Sequence, residues 1–324
     1  MKSPKLLTLA ATAAFIISAA ASVTIDYVSV GHAGNAADST GYGAVAYAYQ
    51  IGKYEVTNAQ YSTFLNAVDP DGANANGVYN TNMGSNARGG ITYTAGAASG
   101  AKYTIRTSMG DKPVTYVSWY DAARFANWLH NGQGSGSTET GAYTLSLNTG
   151  IITKNEGAQV YLPSEDEWYK AAYYDPTKGD TGGYWLYATQ SDSAPTIASA
   201  NSTGDISNPG ANVANYNNGA DWNSQNGNVT TVGSAEANNY FGTADMNGNV
   251  REWNDAVISG SSRGLRGSSF LLFETNLRAN NRSSNDPTNE NNGIGFRVAS
   301  AVPEPSSLVL TMLASGVVLI RRKR

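Results

Sequence analysis

The chain has 324 residues, 21 Lys and Arg against 25 Asp and Glu, 41% apolar residues, two histidines and no cysteine. The apolar share is enough for a real core in one large domain or two ordinary ones, and a charged fraction of only 14%, with Gly, Asn, Ser, Thr and Tyr abundant, suits a loop-rich exported protein better than a cytosolic helical enzyme. The excess of acid leaves no electrostatic footprint for nucleic acid and matches anionic lipid poorly, and the lack of cysteine excludes disulfides.

Residues 1–21 have the order of a secretion signal: Lys2 and Lys5, then an apolar and small-residue run over 6–21 ending in Ala19-Ala20-Ala21. Strands are expected over 23–28 and 44–51, with a Gly/Asp-rich turn between. Three helix starts follow. Thr57-Asn58-Ala59-Gln60 has the capping-box pattern, Ser118 to Asp121 opens a stripe of Ala122, Phe125, Ala126 and Leu129, and Ser164-Glu165-Asp166-Glu167 opens a third helix with an acidic first turn. Short strands are expected at Ile91-Thr92-Tyr93-Thr94 and Tyr103-Thr104-Ile105, and a hairpin through Tyr143-Thr144-Leu145. Residues 179–233 are long, polar and nearly free of helix signals, which calls for functional use or bound metal to order them. No repeat, linker or composition break interrupts residues 22–301, so one α+β domain is expected there.

The end of the chain, 302–324, is patterned again. Pro303-Glu304-Pro305 precedes an apolar run over 307–320, and Arg321-Arg322-Lys323-Arg324 closes it. Such a run, as a helix, spans about 21 Å, short of the roughly 30 Å hydrocarbon core, so alone it is a marginal anchor. The three parts resemble the PEP-CTERM sorting signal. That resemblance implies recognition by an exosortase, transient membrane insertion, removal of the tail, and delivery to the envelope, periplasm or extracellular matrix of a Gram-negative bacterium. An ordinary tail anchor leaves the Pro-Glu-Pro unexplained. Without the six basic residues and Glu304 of the two ends, the body carries a net charge of about −9.

A second resemblance runs through the body. Ile51 to Asn58, Lys112-Pro113-Val114, Val117-Ser118-Trp119, Leu162-Pro163-Ser164-Glu165-Asp166-Glu167-Trp168, the 240–257 stretch, Arg266-Gly267-Ser268-Ser269-Phe270 and Gly295-Phe296-Arg297 occur in the order found in the formylglycine-generating, or sulfatase-modifying factor, family. The resemblance implies a large variant of the C-type lectin-like fold. It also implies an activity this chain cannot perform by the usual route. The family's oxidases hold copper on paired cysteine thiolates, and here Leu271, Leu272, Phe273, Glu274, Thr275, Asn276 and Leu277 fill that stretch. Copper(I) selects soft sulfur ligands, so no copper is expected.

Asp245-Met246-Asn247-Gly248-Asn249-Val250-Arg251-Glu252-Trp253 offers a different metal. Calcium takes six to eight oxygens arranged around a turn. Asp245 and Glu252 bracket a glycine-containing turn whose carbonyls at Gly248 and Val250 complete a plausible set, and relatives hold a structural calcium at the matching positions. The competing reading is a tight turn before a core strand, with Trp253 buried and Glu252 paired to Arg251 or Arg297. A second site could form at Asn215, Tyr216 and Asp221, in what otherwise reads as a solvated Asn-rich loop.

Other chemistries lack their parts. Two histidines cannot build a three-histidine iron site; His32 lies in a Gly-rich turn, and His130 ends a helix, where it is expected to act as a C-terminal cap. No nucleophile elbow, Walker loop or dinucleotide fingerprint occurs, and Asp166 with Glu167 reads as a pair of helix-dipole partners rather than acid and base. What remains is a surface. Arg278, Asn280, Asn281, Arg282, Asn285 and Asp286 border the segment that the family uses as its substrate groove, and Asn, Arg and aromatic groups suit sugars or extended peptides. The expectation is a non-catalytic binding or structural module meeting a polysaccharide or peptide. The alternative is a cysteine-independent oxidase or other modifying enzyme with Glu274 or Asp286 as base.

Overall fold

The computed structural model describes residues 22–145 and 151–302. The expected leader over 1–21, the signal at Pro303, Glu304 and Pro305 with its tail, and the centre of the hairpin expected after Leu145 lie outside the described residues.

The chain opens with an antiparallel pair, β1 (Tyr27–Val30) and β2 (Tyr49–Gly52). Both are shorter than expected because the flanking backbone bonds elsewhere. The Gln133 side-chain amide takes both the N–H and the C=O of Val23, and Val45 closes a loop by accepting from Gly34 N. Helix α1 (Asn58–Val68), a single turn α2 (Asn82–Ser85), the ribbon β3 (Ile91–Tyr93) with β4 (Tyr103–Ile105), and helix α3 (Trp119–His130) follow. Then come β5 (Val160–Tyr161), helix α4 (Glu165–Tyr173), and the two-residue strands β6 (Tyr174–Asp175), β7 (Gly183–Tyr184), β8 (Thr196–Ile197) and β9 (Val213–Ala214). The last part holds β10 (Arg251–Ser259), β11 (Ser262–Arg266), a 3-10 turn at Glu274–Asn276, β12 (Ser283–Asn285), β13 (Ile294–Phe296) and β14 (Ala299–Ala301).

All three long helices begin with reciprocal capping. Thr57 accepts from Gln60 N, Ser118 from Asp121 N and Ser164 from Glu167 N, and each of those third residues returns a side-chain acceptor to the cap N–H. Two otherwise orphaned donors are satisfied at each start. The helices bury their apolar stripes against one another: Phe64 of α1 meets Phe125 and Trp128 of α3 at ring separations of 5.4 Å, and Phe125 meets Phe296 of β13 at the same distance.

Two four-stranded sheets frame this core. One has the order β1-β2-β14-β5, so the end of the domain returns beside its beginning. The other runs β12-β11-β10-β13, with β10 and β13 parallel and Arg251 opposite Ile294. Residues 179–233 contain no helix, as expected. They are ordered by their own contacts: Ala198, Ile206 and Val213 pack with Ala235 and Ala237, Tyr216 Oη donates to Pro195 O at 2.6 Å, and Trp222 Nε1 to Val229 O at 2.8 Å. Among the described residues no helix is long and apolar enough to cross a membrane.

Candidate functional site

The turn before β10 is set by Gly248. Its φ is +89°, and a Cβ there would stand 2.2 Å from Asn215 O, so only glycine fits. The turn delivers Glu252 into the core beneath Trp168. Both Glu252 oxygens accept from Arg297, at 2.6 Å each, and Oε2 also accepts from Trp168 Nε1 at 2.8 Å. Arg297 then uses its remaining donors on Gly52 O, Lys53 O and Ala244 O at 2.9–3.0 Å. Of the two partners the sequence allowed for Glu252, the structure selects Arg297.

Two further carboxyls face the same guanidinium. Asp245 accepts from Gly233 N, and Glu55 Oε2 lies 4.0 Å from Arg297 with no hydrogen-bond donor among the described residues. Burial pushes Asp245 up to about 6, against the pull of Gly233 N–H and Arg297. Burial, with the charge of Asp245 beside it, pushes Glu55 well above the usual carboxylate range. One guanidinium thus lies among three carboxyls, two of which burial shifts towards their protonated forms. Calcium held by Asp245, Gly248, Val250 and Glu252 would have to share Glu252 with Arg297.

Of the residues expected at a second metal site, Asn215, Tyr216 and Asp221, two have side-chain hydrogen bonds elsewhere. Tyr216 and Asp221 turn to Pro195 O and Gly227 N respectively. Asn215 Nδ2 donates to Asn228 O at 2.8 Å, while its Oδ1 is buried without a donor among the described residues. The histidines are also held apart in separate settings. His32 packs edge-on to Tyr174 and Tyr240. His130 does not cap its helix: Nδ1 accepts from Gln159 N at 3.1 Å, bracing the approach to β5. Among the described residues no three His, Cys, Asp or Glu side chains gather as a metal-holding group.

In the groove segment, most of the expected ligand-binding residues have structural partners. Glu274 is bonded by Tyr187 Oη and by Arg278 at 2.9 Å. Arg282 makes a forked pair with Glu165 at 2.7–3.2 Å, and Arg266 joins the same carboxylate at 2.9 Å while donating to Ala279 O and Asn281 O. Both guanidiniums lie over the Tyr42 ring. Asp286 closes its own turn on Thr288 N and Oγ1, which hold it below the usual range, and Asn285 accepts from Asp286 N. Asn280 is exposed and lines an open cavity. Asp166 accepts from Gly43 N, and Glu167 from Tyr47 and Tyr161, so neither is a poised acid or base. Where a thiol pair would sit, Leu271 packs on the Met109, Trp222 and Phe270 cluster, Leu277 is buried with Tyr187 and Tyr216, and Phe273 is exposed.

Sequence reasoning missed Tyr187, Tyr42 and, apart from Asn280, the wall of that cavity. The two tyrosines sit in Tyr-rich stretches with no spacing signal, and their roles depend on contacts from distant segments.

The ordered motifs, the two sheets and the capped helices together define a loop-rich α+β domain, and its family follows. The chain belongs to the family described as the sulfatase-modifying factor enzyme 1-like domain, which it matches over residues 32–302. It is 27% identical over 286 residues to a protein named hercynine oxygenase from Mycolicibacterium thermoresistibile, a match covering 78% of this chain and 50% of the relative. The chain therefore spans about half the length of the curated relative it matches. Similar solved structures include Treponema denticola variable protein 1 (18% identity, TM-score 0.48, 88% of this chain and 98% of that one), CarF (20%, 0.47, 86% and 99%) and PvdO from Pseudomonas aeruginosa (18%, 0.42, 85% and 92%).

Proposed function

We propose that this chain is an exported binding module that uses the family scaffold without its redox chemistry. The observation that carries this reading is the segment after Arg266-Gly267-Ser268-Ser269-Phe270. It supplies leucines in place of ligands, and its two carboxylates, Glu274 and Asp286, are already engaged by Tyr187, Arg278 and Thr288. The setting we propose, an envelope or polysaccharide matrix reached through an exosortase, rests on the patterned ends of the sequence alone. A structural calcium at Asp245, Gly248, Val250 and Glu252 belongs to this reading if it binds alongside Arg297.

The similarity to a protein named hercynine oxygenase favours a second reading, a cysteine-independent oxidase. Oxygen uptake separates the two. The purified chain, given hercynine and a thiol with iron(II) or copper(I), is expected to consume no oxygen above the metal-only control. Uptake that Glu274→Gln abolishes would establish the oxidase instead.

A further inference from the structure

An open cavity of about 250 Å³ lies between the turn at 38–40, the segment following β7 and the turn at Ala279 and Asn280. It is smaller than the roughly 300–1,000 Å³ of drug-sized sites, so it suits one ring of a longer ligand. Its wall combines the half-buried indole of Trp185 with Asp38, Asp192 and Asn280.

Trp185, Asp38 and Asp192 are fixed from behind. Trp185 is anchored by Nε1 to Asp175 at 3.0 Å and by its backbone N to Tyr173 O at 2.9 Å. Asp38 accepts from Ser39 N at 2.6 Å, Thr40 Oγ1 at 3.2 Å and Tyr169 Oη. Burial would raise its carboxyl, but these bonds hold it below the usual range. Asp192 accepts from Leu186 N at 3.0 Å, and both its oxygens lie 2.8 Å from Lys178 Nζ. That bond to Lys178, ahead of the opposing effect of burial, keeps Asp192 below the usual range too. Lys178 Nζ also sits 3.9 Å from the centre of the Trp185 ring. The cation position on that indole is filled from within the chain, so the cavity does not call for a cationic ligand. Two ionised carboxylates at its wall also disfavour an anionic one. What the wall offers is acceptors for hydroxyl donors, an aromatic surface, and an exposed Asn280 amide with no hydrogen-bond partner among the described residues, able to donate and accept.

We propose that this cavity is a subsite for one residue of a neutral saccharide, with hydroxyls donated to Asp38 and Asp192, the Asn280 amide bridging two more, and the ring laid on Trp185. The proposal rests on the binding-module reading and gives it a ligand class and a place.

The test is calorimetric titration of the purified chain with cellohexaose, laminarihexaose and maltohexaose, and with an oligogalacturonate as the anionic arm. At least one neutral probe is expected to bind, with Asn280→Ala and Trp185→Ala each weakening it about tenfold or more, equal to ~1.4 kcal/mol. Asn280→Ala is expected to melt with the wild type, so its effect cannot be laid to misfolding. Binding of a neutral probe that both variants leave within about twofold would overturn the subsite but not the module. Binding of the oligogalacturonate alone, or of no saccharide, would overturn the neutral-saccharide class. Cleavage or oxidation of a bound probe would overturn the binding-module reading while leaving the subsite in place.

Discussion

Arg297 is the residue on which the centre of the domain turns. Its five N–H donors go to Glu252, Gly52, Lys53 and Ala244, tying β10, β2 and the turn before β10 to the strand end at 297. Arg297→Met would leave the Glu252 carboxyl, which has no exposed surface, without its partner, a change expected to cost about 3–5 kcal/mol. Arg297→Met with Glu252→Leu removes both charges and is expected to fall less than the sum of the single losses in a double-mutant cycle. Glu55 behaves differently, because its folded environment already favours the protonated acid. Glu55→Gln is expected to change stability by less than about 1 kcal/mol, since the amide keeps the shape and neutrality of the acid. Denaturant melts of the four variants check this ordering. The same guanidinium sets the expectation for metal removal. A turn ordered by Arg297 keeps its melting temperature in EDTA, whereas a turn ordered by calcium loses stability that added calcium restores.

At the scale of elements, the helix starts carry more than their hydroxyls. Ser164→Ala is expected to cost about 1 kcal/mol, the usual worth of such a cap. Glu167→Ala is expected to cost more, because that carboxylate also receives the Tyr47 and Tyr161 hydroxyls at 3.0 Å each and so ties α4 to β5 and to the approach to β2. Thermal melts of the two variants rank them. These starts were legible in the sequence because a cap and the stripe that follows it lie within one or two turns of chain. The family motifs were legible for the same reason, each being a local string. What joins them was not. Glu252 could be expected to find an arginine, but the choice between Arg251 and Arg297, 45 residues on, is made by the parallel pairing of β10 with β13. Likewise Glu165, read only as a dipole partner, becomes the meeting point of Arg266 and Arg282 because the end of β11 and the residue before β12 both reach α4. The cavity at Trp185 draws on three segments far apart in the chain, and no spacing rule reaches that far.

Across the whole molecule, buried carboxyls give stability an unusual dependence on pH. Burial, the dominant cause in each case, raises Asp245 to about 6, Asp255 to about 7 and Asp121, which also faces Glu290, to about 8. A carboxyl whose folded value exceeds its unfolded value near 3.9 binds its proton more tightly in the fold. Its burden on stability is therefore full above the folded value and is relieved as pH falls from there towards about 4. Asp205 acts in the opposite sense. Bonds from Thr231, Thr203 and Asn201 lower it to about 2, so its contribution is present above about 4 and lost between there and 2. Burial lowers Lys170 to about 8, and its burden is constant below that value, so it adds no slope on the acid side. The melting temperature is thus expected to rise as pH is lowered from 8 towards 5, to peak between about 4 and 5, and to fall below that. Asp245→Asn is expected to flatten the rise between about 6 and 4, and Asp121→Asn the part that begins near 8, each without moving the acid limb. A melting temperature that is level or falling from pH 8 to pH 5 would mean that these carboxyls are ionised in the fold, and that the charge around Arg297 is balanced by something other than protons.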